Sequence, residues 1–226
     1  MERGVKPGPK PKGKVKIKWS ANFAYAIGLL ATDGCLSPNG RHIILTSVDK
    51  EQLENYLKCL NIEVKLGKKT NGHGQTASVI QFSDVLFFDF LQSIGITKAK
   101  SLTMGKIAIP EIFFIDFLRG CFDGDGHTYS YWDPRWKSSF MFYVGFTSAS
   151  KDFIEWIREE IKNRIGIVGH IATAKKINTY YQIKYAKYEG IKLVREMYKN
   201  KKCICLTRKK LKINESLGTM GVPRLS

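Results

Sequence analysis

Ala26-Ile-Gly-Leu-Leu-Ala-Thr-Asp-Gly34 and Leu118-Arg-Gly-Cys-Phe-Asp-Gly-Asp-Gly126 are the stretches on which the fold turns. Each is an apolar run with a glycine in its third place and Asp-Gly at its end. Gly28 and Gly120 lie 92 residues apart, and so do Asp33 and Asp125. The repeat predicts two similar helices, each delivering one carboxylate where the helix stops. A glycine inside a helix costs about 1 kcal/mol against alanine. Close backbone approach between two helices is the natural return. Helices crossing at these glycines bring Asp33 and Asp125 together at their C-terminal ends. A carboxylate there meets an unfavourable helix dipole, and two of them repel. A hard divalent cation relieves both. Carboxylate and backbone-carbonyl oxygens suit Mg²⁺, which polarises a phosphate and acidifies a water.

The 226 residues carry 37 lysines and arginines against 20 acids, a net charge of +17. Residues 1–18 hold seven basic side chains against Glu2, and residues 199–213 hold seven and no acid. Basic ends of this kind suit phosphate, giving salt-dependent affinity with little sequence information. The five cysteines show no paired CxxC spacing, which disfavours a disulfide framework or a zinc site. His42, His73, His127 and His170 form no metal-spaced set. There is no run of about 18 uncharged apolar residues and no signal-peptide pattern, so a soluble intracellular protein away from membranes is expected.

Residues 1–18, with three prolines and three glycines, read as a flexible basic arm. Structure is expected from Trp19, with Ser20 capping a helix to about Thr32 and Gly34 releasing the chain. A hairpin over 35–47 turns at Ser37-Pro-Asn-Gly40. Asp49 is placed to cap a helix through Leu60, strands follow near 62–69 and 77–82, and a helix covers 84–93. The order then repeats. A helix from Pro110 ends at Asp125, a hairpin spans 127–148, and Ser150 caps a helix to Arg164. Strands lie near 167–175 and 179–185, with a helix over 187–199. Leu45-Thr-Ser-Val-Asp-Lys-Glu51 is echoed by Phe146-Thr-Ser-Ala-Ser-Lys-Asp152, displaced by 101 residues rather than 92. The second hairpin therefore holds a longer loop, His127–Ser139. The chain divides into an arm at 1–18, a first half at 19–105 and a second half at 106–226. The class is α+β, with duplicated α-β-β-α-β-β-α halves.

On these motifs the chain resembles the LAGLIDADG homing endonucleases of the single-chain, two-motif kind, from about Trp19 to Asn214. Ala31 departs from the acid usual at the sixth letter of the first motif; Asp123 keeps it in the second. The resemblance implies two antiparallel four-stranded sheets forming a DNA-binding saddle, with the motif helices packed at a pseudo-twofold interface. It implies hydrolysis of one phosphodiester on each strand of a long asymmetric duplex by a monomer, leaving short 3′ overhangs. Asp33 and Asp125 are the implied metal ligands, with the carbonyls of Thr32 and Gly124 completing the site. Mg²⁺ is the implied cofactor, Mn²⁺ a substitute, and Ca²⁺ an ion that binds without cleavage. Basic residues near each scissile phosphate map to Lys98 or Lys100 in the first half, and to Lys209 or Arg208 in the second. Ser47 and Ser148 match polar residues at the end of each second strand.

Tyr180, Gln182 and Lys184 alternate with Tyr181, Ile183 and Tyr185, so one face of that strand is polar enough to meet base edges. Arg41, Lys65, Lys69, Gln81 and Lys175 are further expected DNA contacts. Arg135 and Lys137 stand in a loop whose Tyr129, Tyr131, Trp132 and Trp136 either flank a duplex or pack the hairpin. Two other functions fit the same fold: an intron RNA-splicing maturase, and a sequence-specific DNA-binding protein that does not cut.

Overall fold

The computed structural model describes residues 13–70, 72, 74–175 and 179–225. Residues 1–12 of the expected arm, Asn71 and His73 of the first-half loop, and the side chain of Lys175 lie outside this set.

Helix α1 (Ala21–Asp33) begins where Ser20 Oγ accepts from the Phe23 N–H at 3.1 Å. Helix α4 (Phe114–Asp125) is its counterpart, entered through a 3₁₀ turn at Glu111–Phe113. Every residue of α1 from Phe23 to Ala31 is buried, so this helix is covered on all sides. The reason is its contact with α4. A Cβ placed on Gly28 would lie 2.2 Å from the Phe117 carbonyl oxygen, and one on Gly120 would lie 2.1 Å from that of Tyr25. The two backbones touch, as the third-place glycines require.

Around this pair stand two antiparallel sheets with matching topology. The first is ordered β1-β2-β4-β3, from β1 (Gly34–Leu36), β2 (His42–Ser47), β3 (Gly67–Thr70) and β4 (Thr76–Ser83). The second is β5-β6-β8-β7, from β5 (Gly126–Trp132), β6 (Phe140–Ser148), β7 (His170–Lys175) and β8 (Thr179–Ala186). Helices α2 (Lys50–Leu60), α3 (Val85–Ser93), α5 (Lys151–Ile165) and α6 (Lys187–Met197) complete the duplicated α+β halves. Along the sheets, Ile43, Leu45, Ile80 and Phe82 of the first half and Phe142, Val144, Phe146, Ile183 and Tyr185 of the second enter the core. The alternate residues form an open face on each sheet.

Gly34 and Gly126 end their helices at φ values of −80° and −74°, and the chain runs directly into a strand. Glycine is needed there for room, since a Cβ would sit 2.6 Å from the Leu30 oxygen or 2.5 Å from that of Phe122. Strand β3 starts at Gly67 rather than 62. Ile62, Val64 and Leu66 pack on the core, but pairing with β4 begins only at Gly67. Asp49 holds the N-cap position of α2 without a side-chain cap bond, because its carboxylate accepts from Arg208 Nε at 2.5 Å. Packing also reaches back before Trp19. Val15 is buried, and the Lys14 and Val15 N–H groups donate to Asp84 Oδ2 at 2.6 and 2.9 Å. Finally, part of the C-terminal basic run is a seventh helix, α7 (Thr207–Thr219), with Ile213 and Leu217 buried. Lysines between these apolar positions hide the helical stripe from a sequence reading.

Gly28→Ala and Gly120→Ala should each cost about 3 kcal/mol in urea unfolding, near the upper end of overpacking costs. Gly105→Ala, whose Cβ would meet nothing within 4 Å, should stay within about 0.5 kcal/mol.

Candidate active site

The touching helices end side by side. A Cβ on Gly124 would lie 1.9 Å from Thr32 Oγ1 and 2.9 Å from Asp33 Oδ2, so the end of α1 lies against the end of α4. Asp33 and Asp125 share this place. Burial raises the affinity of both carboxyls for a proton, and for Asp125 the neighbouring Asp33 charge adds to it, taking its pKa up to about 6.

The two acids are held differently. Asp33 Oδ2 accepts from Gln52 Nε2 at 2.5 Å, and Gln52 Oε1 accepts in turn from Ser47 Oγ at 2.8 Å. At the position equivalent to Gln52 the second half has Phe153, and Asp125 accepts no hydrogen bond among the described residues. Gln52 was not foreseen. Its signal was a polar residue where an otherwise matching repeat carries an aromatic one.

Neither α1 nor α4 has a basic residue in its last turn, where helix carbonyls lack partners. Each receives a lysine from outside. Lys100 Nζ donates to the Ala31 and Thr32 carbonyls at 2.7 and 3.1 Å. Lys209 Nζ donates to those of Phe122, Gly124 and Gly126 at 2.5, 3.0 and 2.6 Å. Both ammonium groups are buried. Burial lowers the pKa of each, to about 8 for Lys209, while Asp33 and Asp125 favour the charged form of both lysines. An ammonium has three donors. Lys209 spends all three on carbonyls; Lys100 spends two. Lys98 is directed elsewhere, donating to the Pro38 carbonyl at 2.9 Å.

The start of α7, which carries Lys209, is fastened from both halves. Asp123, fully buried, accepts from the Tyr25 hydroxyl and the Leu206 N–H, each at 2.7 Å. Burial takes its pKa up to about 6. From α2, Glu51 accepts from the Thr207 N–H at 3.1 Å, and Asn55 Nδ2 donates to the Cys205 carbonyl at 3.0 Å. Arg119, buried beneath, donates to Met197 and Ile204 carbonyls at 3.0 Å and to Asp116 at 2.8 Å. Apart from the Arg119–Asp116 pair, the roles of Glu51, Asn55 and Arg119 depend on residues 78–156 positions away, which no motif signals.

The remaining expected residues divide by location. Thr32, Asp125, Lys100 and Ser148 line one cleft of about 170 Å³ with Ser101 and Met104. Gln81, Tyr180, Gln182 and Lys184 lie on the open sheet faces, as does Lys69, in register with Ala77. Lys65, Arg41 and Lys137 are exposed beside them. Ser47 faces α2 through Gln52 rather than the open face. Arg208 is paired with Asp49, and Arg135 with Asp133 at 2.8 Å. No group of three or more His, Cys, Asp or Glu able to hold a metal occurs among the described residues, so any ion here relies on the paired acids and other oxygens.

Comparison with known proteins agrees with this architecture. Residues 115–212 match the LAGLIDADG-like domain family. Over most of its length the chain has the fold of solved homing endonucleases. For the LAGLIDADG homing endonuclease I-GzeII bound to its DNA target, the TM-score is 0.61 at 12% identity, covering 89% of this chain and 91% of that one. I-WcaI bound to its DNA recognition sequence gives 0.58 at 16%, covering 92% and 94%. I-DmoI in complex with DNA and Ca gives 0.57 at 14%, covering 85% and 96%. No curated protein matches the chain. No described helix is long and apolar enough to cross a membrane.

The raised Asp123 and Asp125 pKa values fix a sign for stability against pH. Between pH 4 and 6 these two carboxyls hold more protons in the native state than in the unfolded chain, so their contribution to stability falls as pH rises through this window. Asp125→Asn should therefore raise the melting temperature at pH 7 and change it little at pH 4, as read by calorimetry in metal-free buffer.

Proposed function

We propose that the protein is a site-specific double-strand DNA endonuclease. One observation carries the reading: two halves of one basic chain, each with its own four-stranded sheet, bring Asp33 and Asp125 together where their helices end. Each acid lies at the end of its own half's motif helix, so each serves one strand, and one chain suffices as a monomer.

The residues fit a hard divalent cation. Asp125 lacks a donor among the described residues and faces a second carboxylate, an arrangement that favours Mg²⁺ over two bare charges. Asp33 and Asp125 would hold the ion. The Thr32 and Gly124 carbonyls, which accept from Lys100 and Lys209, each keep a second lone pair for it. When bound, it supplies Lewis acidity and a water acidified for in-line attack. Mn²⁺ replaces it, and Ca²⁺ binds without cleavage.

The protein's own groups do the rest. Lys100, with one N–H left, stabilises charge on the scissile phosphate of its half. Lys209 acts through its field, its three donors being engaged. The open faces lie along the major groove of a long asymmetric target, with Gln81, Gln182 and Lys184 at base edges. Cleavage across the minor groove at the paired acids leaves short 3′ overhangs.

Incubation of a randomised duplex library with Mg²⁺ should yield double-strand cuts at one sequence class. Asp33→Asn and Asp125→Asn should each slow cutting by roughly 10²-fold or more. Specific duplex binding without cuts in Mg²⁺ or Mn²⁺ would overturn the nuclease in favour of a DNA-binding protein. Tight intron-RNA binding indifferent to both acids would point to a maturase.

A further inference from the structure

The two sheets differ most at their hairpins. Strand β5 has seven residues where β1 has three, and β6 nine where β2 has six. The extension carries Tyr129 opposite Tyr143, and Tyr131 opposite Met141, all on the open face. Tyr129 and Tyr143 stack at 4.7 Å and 13°, and Tyr131 is parallel to Tyr129 at 6.4 Å. His127 continues the ladder at 6.2 Å and 13°, its ring seated on Gly145, whose Cβ would lie 2.7 Å from His127 Nε2. Lys184 Nζ lies 6.0 Å from the Tyr129 ring centre. The open face of the first sheet carries Cys35, His42, Ile44, Thr46, Gln81 and Ser83, with no phenol.

Rings stacked on one another have spent their faces. No base can enter between Tyr129 and Tyr143, so the ladder offers a nucleic acid ring edges and hydroxyl tips. It is a rigid apolar strip bought at little entropy, because each tyrosine has few torsions to fix. Among the base edges exposed in the major groove, the C5-methyl of thymine is the apolar group.

Resting on the endonuclease reading, we propose that the Tyr129–Tyr131–Tyr143 ladder reads thymine methyl groups in the half-site under the second sheet. The first sheet, which has no such ladder, reads its half-site through His42, Thr46, Gln81 and Ser83. The two half-sites are thus recognised by different chemistry, and the ladder prefers DNA over RNA, whose uracil lacks the methyl.

The test starts from a duplex selected out of a randomised library with Ca²⁺ present. Each thymine is replaced singly by deoxyuridine, and Kd is measured for the wild type, Tyr143→Ser, Tyr129→Ser and Tyr129→Phe. The expected result is a cluster of thymines on one side of the centre, each weakening binding about fourfold when its methyl is removed. Tyr129→Phe keeps this loss; the two serine variants abolish it. A selected site indifferent to uracil overturns this proposal alone. So does an unchanged methyl effect in both serine variants with melting temperatures like the wild type. Selection of no duplex, or tighter binding to the RNA copy, overturns this proposal and the endonuclease reading together.

Discussion

Backbone contact between α1 and α4 is the constraint on which the rest depends. With Gly28 and Gly120 in van der Waals contact, the helix axes have one permitted separation, and the ends of both helices fall side by side. Asp33 and Asp125 are consequences of that approach. The arrangement is electrostatically costly, since it gathers two carboxylates and two negative helix ends in one place. Structures keep such costs where function requires them.

The molecule offsets part of this cost with two remote lysines. Lys100 and Lys209 play equivalent parts on opposite helices, although one comes from a turn and the other from α7. Each donates to carbonyls at the end of its helix and places a positive charge beside the acid pair. Helix capping and active-site electrostatics are thus one interaction. The start of α7 is held in turn by Asp123, Glu51 and Asn55, so residues of the first half help fix the lysine of the second.

Duplication gave two equivalent frames, and the structure shows where they have diverged. Asp33 is tied by Gln52, whereas Asp125 has Phe153 at the matching place and stays open. The second hairpin is longer and rich in tyrosine; the first is short and has no phenol. A pseudo-symmetric scaffold with unequal sites and unequal sheet faces suits an asymmetric partner.

The amino-acid sequence by itself determined the repeat, the two motif helices, their glycine contact, the acid pair and the succession of helices and strands along each half. All of these rest on local periodicity or on residues within one motif, where composition and spacing carry the physics. Tertiary structure alone decided that Lys100 rather than Lys98 reaches the end of α1, that Ser47 turns inward, and that Gln52 holds Asp33. It also decided that Gly34 and Gly126 are required for space, and that a lysine-rich run conceals a packed helix. These outcomes depend on contacts between residues far apart in the chain. Neighbouring lysines have the same chemistry in sequence, and only the path of the folded backbone distinguishes the one that finds a helix end from the one that finds a hairpin turn.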